Sequence, residues 1–261
     1  METTTARPPL TCSVVVPVRD DAPELRGLLQ ALAQQTRPAL EVIVVDNGSS
    51  DGSAELARAA GCTVLEHPVP GIAGAAAAGY DAARGDLIVR CDADSRPSPG
   101  WLAAHQHAHA HGAAGTVLVT GPGWFRLPRP WSGLVSAVYV GGYLLLTAAA
   151  LAHAPAFGTT MSMPRRWWRE ARTTASRSPD VHDDMDLSFQ VRPGERVRVR
   201  RAVGVSMSPR ALRLDRGQLL RWRRAAYTLR RNWRRERPWE RWRARCAAAS
   251  GLGAGHREHD G

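Results

Sequence analysis

The stretch CSVVVPVRDDAPELRGLLQALAQQTRPALEVIVVDNGSSDGS, residues 12–53, decides the fold. Residues 12–18 are an almost unbroken apolar run rich in β-branched side chains, which reads as a strand buried on both faces. The period then changes. Leu25, Leu28, Leu29 and Leu32 fall on one helical face within residues 21–35, with Pro23 near the start and Thr36-Arg37-Pro38 as the stop. A second apolar run, residues 41–45, ends in a turn rich in Asx and Gly. Outward from there, residues 54–61 predict a helix, 62–67 a strand, 73–85 a small-residue helix and 86–92 a fourth strand. Strands alternating with helices over short connections imply an α/β fold: a mostly parallel sheet flanked by helices. Ligands in such sheets bind beyond the carboxyl ends of the strands. Three polar clusters fall there, at residues 18–21, 46–51 and 92–94.

The last of these is the most telling. LIVRCDAD, residues 87–94, ends an apolar run with two carboxylates one residue apart, Asp92 and Asp94. Burying like charges side by side is costly. A divalent cation holding a phosphorylated ligand would balance them.

Composition narrows the class. The chain has 261 residues, 44% of them hydrophobic, enough for a full core without staples. Cys12, Cys62, Cys91 and Cys246 form no CxxC pair, which argues against a zinc site or disulfide framework and for reduced thiols in the cytoplasm. The first residues carry no apolar h-region of a signal peptide. Net charge is +11, and all 35 basic residues are Arg. Residues 192–245 hold 19 Arg against four acidic residues, so a mildly acidic body carries a cationic tail.

VVVPVRDDAPELRGLLQALAQQTRPALEVIVVDNGSSDGS resembles the opening of a family-two glycosyltransferase with the GT-A (Rossmann-like) fold. CDAD falls at that family's metal-binding DxD. VHDDMDLSFQV (181–191) resembles its later acidic motif, GTTMSMPR (158–165) the acceptor-side stretch, and QLLRW (218–222) the QxxRW pattern of some members. The likeness covers roughly residues 11–230. It departs from the family at Ala76 and Ala77, where an Arg-Asn pair is common. It departs also at Asp183, which replaces Glu, and at Asn47, where many members have Asp.

The resemblance implies a metal-dependent, inverting transfer of a sugar from a nucleotide-diphospho-sugar to a hydroxyl acceptor, lipid-linked or a cell-envelope glycan. Asp94 would bind Mn²⁺ or Mg²⁺ directly, and Asp92 would bind it through water or touch the ribose. Pro17, Val18, Asp46, Asn47 and Asp92 would form the nucleotide site, the Asn47 side-chain oxygen accepting a pyrimidine N3–H. Asp184 would be the base, its pKa raised by crowding with Asp183 and Asp186. Gly158, Asp183, Gln218, Arg221 and Trp222 would line the acceptor side. Two alternatives remain: a non-catalytic sugar-nucleotide binder, and, with less support, a nucleic-acid-binding protein.

Three further segments stay open at this level. His105, His107, His109 and His111 alternate along one segment; a solvated surface helix is expected there, with i,i+4 metal chelation the rival. Residues 131–154 carry no charge and are long enough to span a membrane. One crossing would separate Asp94 from Asp184, so the expectation is a helix buried in the domain or resting at an interface. The organisation expected is a GT-A domain over 11–210, an Arg/Trp-rich helical extension over 211–245 and a disordered tail over 246–261. The extension suits an anionic membrane surface, placing the enzyme peripherally on the inner face; a solvated helix and nucleic acid are the competing readings.

Overall fold

The computed structural model describes residues 9–213 and 216–254. Its strands are β1 (Cys12–Val18), β2 (Glu41–Asp46), β3 (Thr63–Glu66), β4 (Leu87–Cys91), β5 (Arg96–Pro97), β6 (Thr116–Thr120), β7 (Gly123–Phe125), β8 (Thr160–Pro164), β9 (Arg196–Val199) and β10 (Val205–Met207). Seven of them form one sheet in the order β3-β2-β1-β4-β8-β6-β9, and β5-β10-β7 form a small second sheet. The first four are mutually parallel, as the alternating pattern requires, while β8 runs antiparallel to both β4 and β6. The α/β class and mostly parallel sheet are those expected.

The strands are buried on both faces. Val14 and Val16 join one core cluster with Leu25, Leu28 and Trp101; Val15 joins the other with Ile43, Val45, Tyr80 and Trp168. That split is the period-two alternation of a strand. Helix α1 (Ala22–Ala33) buries Leu25, Leu28 and Leu32 and carries Pro in its first turn. After α2 (Ser53–Ala59), helix α3 (Ile72–Ala82) lies close on the sheet because it is built of Ala and Gly: a Cβ on Gly79 would stand 2.4 Å from Val15 Cγ1.

Helix α4 (Trp101–Ala110) corrects the expectation of a solvated histidine helix for His105 and His109, while His107 and His111 are exposed as expected. His105 is fully buried, and His105 Nδ1 and His109 Nε2 both meet the Ser162 hydroxyl on β8, at 2.7 and 3.0 Å. These rings serve packing between helix and sheet, and among the described residues they join no metal-ligating cluster. Burial holds His105 well below the usual imidazole range and His109 at about 4.

Helix α5 (Trp131–Leu151) is not buried in the domain. Only Ser136, Val140, Thr147 and Leu151 are buried along it, and Leu134, Val138, Leu145 and Leu146 are exposed. Short helices α6 (Arg165–Ala171) and α7 (Asp183–Phe189) follow.

The cationic extension is helical: α8 (Arg216–Trp233) and α9 (Pro238–Ala254). It is not a detached arm. Arg241 is buried and donates to the carbonyls of Leu151, Phe189 and Val191. Residues 246–254, expected to be disordered, continue α9; residues 255–261 lie outside the described residues.

Candidate active site

The strand order reverses around β1, which has β2 on one side and β4 on the other. In open α/β sheets that reversal opens a crevice at the carboxyl ends. Asp21 follows β1 and Asp94 follows β4. Arg210, arriving from the far end of the second sheet, bridges them: it donates to Asp21 Oδ1 at 2.9 Å and approaches Asp94 Oδ2 at 3.5 Å. Arg126 holds the loop from another direction, donating to the Asp94 carbonyl at 2.7 Å and pairing with Glu24.

Asp92 and Asp94 differ in how well they are satisfied. Asp92 Oδ1 accepts from Arg90 at 3.1 Å and its Oδ2 accepts from the Thr159 hydroxyl at 3.1 Å. Among the described residues, the Asp94 carboxylate meets only the long Arg210 contact. Burial first, and then the Asp92 charge, push its carboxyl up to about 6. A carboxylate disfavoured by burial and by a like charge fits a hard cation, which would relieve both penalties.

Arg90 is the centre of the site, and sequence reasoning missed it. It lies on β4 with 2% exposure and reaches Asp183 at the start of α7 as well as Asp92. One guanidinium thus ties the strand-end motif to the acidic motif. Gly158 makes room for it: a Cβ there would stand 3.0 Å from Arg90 Cζ. The signal was present, since Arg90 is a lone charge inside the buried run LIVRC. Ala76 and Ala77 line a small cavity with Tyr80, Asp183 and Asp186, so the Arg-Asn pair missing from α3 leaves space next to the acidic motif. Arg90, from the neighbouring strand, carries the positive charge at Asp183.

Asp184 is buried and fully engaged. Its Oδ1 accepts from Tyr143 of α5 at 3.1 Å and meets His182 Nδ1 at 2.6 Å; its Oδ2 accepts the Gly158 N–H at 2.8 Å. Burial alone would raise this carboxyl, but His182, Arg90 and the Gly158 N–H together hold it well below the usual carboxylate range. The expectation that crowding raises it is therefore wrong. The neighbours that face it are donors and cations, while Asp183 turns to Arg90. His182, although buried, is held above its usual range by Asp184. His182, Asp183 and Asp184 also present ligand atoms within 4.8 Å of one another. Asp183 already has Arg90 and Asp184 has His182 as close partners of opposite charge, as Asp92 has Arg90 and Asp94, at longer range, Arg210.

The remaining expected residues fall in different places. Pro17 and Val18 end β1 with buried side chains, and the Val18 carbonyl accepts the Asn47 N–H. Asp46 accepts the Ser49 N–H in an Asx turn. Asn47 spends its amide on the loop after β3: Nδ2 donates to the carbonyls of His67 and Val69, and Oδ1 accepts the Gly71 N–H at 2.9 Å. Its oxygen is occupied by the backbone rather than presented to a base. Gln218 reaches the Tyr139 hydroxyl, Arg221 reaches Gln218 and the Ala211 carbonyl, and Trp222 is 64% exposed. None of the three is seen against Asp183, Asp184 or Gly158. What α8 contributes instead is the Thr228 hydroxyl, which accepts the His182 N–H, and Asn232, which donates to Asp186.

Solved structures share this architecture. A mannosyltransferase from Pyrobaculum calidifontis in complex with GDP-Man and Mn²⁺ superposes with a TM-score of 0.64 at 20% identity, covering 96% of this chain and 76% of that one. Glucosyl-3-phosphoglycerate synthase from Mycobacterium tuberculosis, solved with Mn²⁺, UDP and its product, gives 0.59 at 20% identity over 85% and 80%. In sequence, the undecaprenyl-phosphate 4-deoxy-4-formamido-L-arabinose transferase of Pseudomonas paraeruginosa is 38% identical over 97 residues, 33% of this chain and 29% of that protein. A glycosyltransferase of Haloferax volcanii is 34% identical over 98 residues, 34% of this chain and 32% of that protein. The match thus spans about a third of the length of these relatives. Residues 13–164, more than half the chain, match Glycosyl transferase family 2, and the chain belongs to that family.

Proposed function

We propose that this protein is a metal-dependent, inverting glycosyltransferase that moves a sugar from a nucleotide-diphospho-sugar to an acceptor carried by a lipid. The observation that supports it most is the convergence of Asp92, Asp183 and Asp184, tied together by Arg90 and Gly158, with Asp94 two residues beyond Asp92. Asp94, with Asp92 beside it, would hold Mn²⁺ or Mg²⁺. The cation would supply Lewis-acid neutralisation of the departing diphosphate. Arg210, held by Asp21 next to Asp94 and partly exposed, would meet the same phosphates. Asp184, fixed by three hydrogen-bond partners, is the candidate to receive the acceptor's proton as its oxygen attacks the anomeric carbon and the bond to the diphosphate breaks.

The depressed pKa of Asp184 favours a second version of the acceptor. A weak base is poorly matched to a sugar hydroxyl but is sufficient where the attacking oxygen is already ionised, as in a lipid phosphate. The relative from Pseudomonas paraeruginosa, named as an undecaprenyl-phosphate sugar transferase, fits that version. The test is a thermal-shift panel of nucleotide-diphospho-sugars with Mn²⁺, run on wild type and Asp94→Ala. Stabilisation by one or more donors that needs both Mn²⁺ and Asp94 supports the reading. Donor binding that is indifferent to both overturns the metal role, and no binding of any donor overturns the donor class.

A further inference from the structure

Helix α5 presents a continuous apolar stripe to the outside. Trp131, Leu134, Val138, Leu145 and Leu146 are all more than half exposed, with Leu145 the most at 73%. The helix has no charged residue over 21 positions. A surface helix of a soluble domain ordinarily turns charged side chains to water, and a stripe of this kind marks an interaction surface. Its flanks are cationic. Helix α8 runs beside it, joined by Gln218 to Tyr139, and carries six Arg and no acidic residue in 18 positions, with Leu219 and Trp222 exposed. Helix α9 closes the other end, where Trp242 Nε1 donates to the Ala149 carbonyl at 3.0 Å.

We infer that α5 lies in the plane of an anionic bilayer as the inserting element of a monotopic docking surface, with the exposed Arg of α8 and Arg243 of α9 engaging lipid headgroups around it. Charge decides between occupants. A second copy packed on this face would set one Arg-rich helix against another, which is repulsive; an anionic lipid surface complements it. Spanning is excluded by the inner face of α5. Tyr143 is bonded to Asp184, and Ser136 to the Phe125 N–H at 2.8 Å, so drawing the helix into hydrocarbon would strip polar groups of their partners. An in-plane helix needs to sink only about 5–10 Å.

The placement joins membrane to chemistry. The same helix turns its stripe outward and Tyr143 inward onto Asp184, so the candidate base stands about one helix diameter, roughly 10 Å, behind the inserted stripe. A phosphate or first sugar on a lipid headgroup is within reach of it. This purpose rests on the lipid-borne acceptor proposed above; the docking itself does not.

Co-sedimentation with vesicles of phosphatidylglycerol and phosphatidylcholine, containing no donor or acceptor, tests the docking independently of transfer. Wild type should pellet with anionic vesicles and keep part of that binding at high salt. Val138→Glu/Leu145→Glu, at exposed positions, should bind roughly tenfold or more weakly at every salt concentration. Arg223→Glu/Arg230→Glu should match wild type at high salt and lose the extra binding at low salt. Brominated lipid should quench the exposed tryptophans of wild type, a readout needing no variant. The inference is overturned if wild type ignores anionic vesicles, if the α5 variant pellets like wild type, or if wild type is a dimer that the α5 variant breaks without either form binding lipid.

Discussion

Replacing Arg90 with Met should cost more than any other single change near the site. The side chain is 2% exposed and faces two carboxylates, Asp183 at 12% and Asp92 at 32% side-chain exposure. Met fills similar space but leaves both charges without their cation. Breaking a buried ion pair by removing one partner costs about 3–5 kcal/mol. Asp92 is open enough to be rehydrated and keeps the Thr159 hydroxyl, so most of the penalty falls on Asp183 and the lower end applies, about 3 kcal/mol. For a chain of this size that corresponds to a fall in Tm of roughly 6–12 °C. Urea unfolding monitored by circular dichroism gives the free energy, and calorimetry the Tm. The double variant Arg90→Met/Asp183→Asn removes the orphaned charge and should recover part of the loss, a coupling of about 1–3 kcal/mol. Arg90→Met should also gain more stability from Mn²⁺ than wild type does, because a divalent cation would find an uncompensated acidic cluster. A loss below about 1 kcal/mol, or strict additivity in the double variant, would refute Arg90 as the tie between the two motifs.

Asp184→Asn should lower transfer to a hydroxyl acceptor on the order of 10²-fold or more while leaving donor binding intact; with a phosphate acceptor the loss should be much smaller, and an active Asp184→Asn beside a dead Asp183→Asn would move the base by one position. His105 and His109 have folded-state pKa values below the unfolded value, so their contribution is present above pH about 6.5 and is lost as pH falls toward about 4. Stability measured across that window should decline, His109→Gln should flatten the decline, and neither Zn²⁺ nor EDTA should alter it. Deletion from Leu212 onward should unfold the acidic motif rather than leave the site standing, because Thr228, Asn232 and Arg241 satisfy buried groups on His182, Asp186, Leu151, Phe189 and Val191; a truncated protein with the wild-type Tm would contradict this.

Local pattern carried the sheet and the address of the site. Apolar runs such as residues 12–18 and 41–45 specify buried strands through a pattern that needs no knowledge of neighbours, and the helical crossovers between them make those strands parallel. The carboxylates at 92 and 94 were legible because like charges at the end of a buried strand are costly without a partner, and those at 183 and 184 because residues 181–191 resemble the family's acidic motif. Partner choice was not legible, since it is made across long sequence separations. Arg90 meets Asp183 from 93 positions away, and His182, with the Arg90 charge and the Gly158 N–H, reverses the expected pKa direction of Asp184. Asn47 is spent on Gly71 and the His105/His109 pair on Ser162, neither of which any periodicity reveals. Helix α5 shows the limit most plainly. Its composition suits a buried helix, a membrane span or an interfacial helix equally, because hydropathy records what a side chain prefers and not which face the neighbouring elements cover. Only the packing of β7, α7 and α9 behind it leaves Leu134, Val138 and Leu145 turned outward.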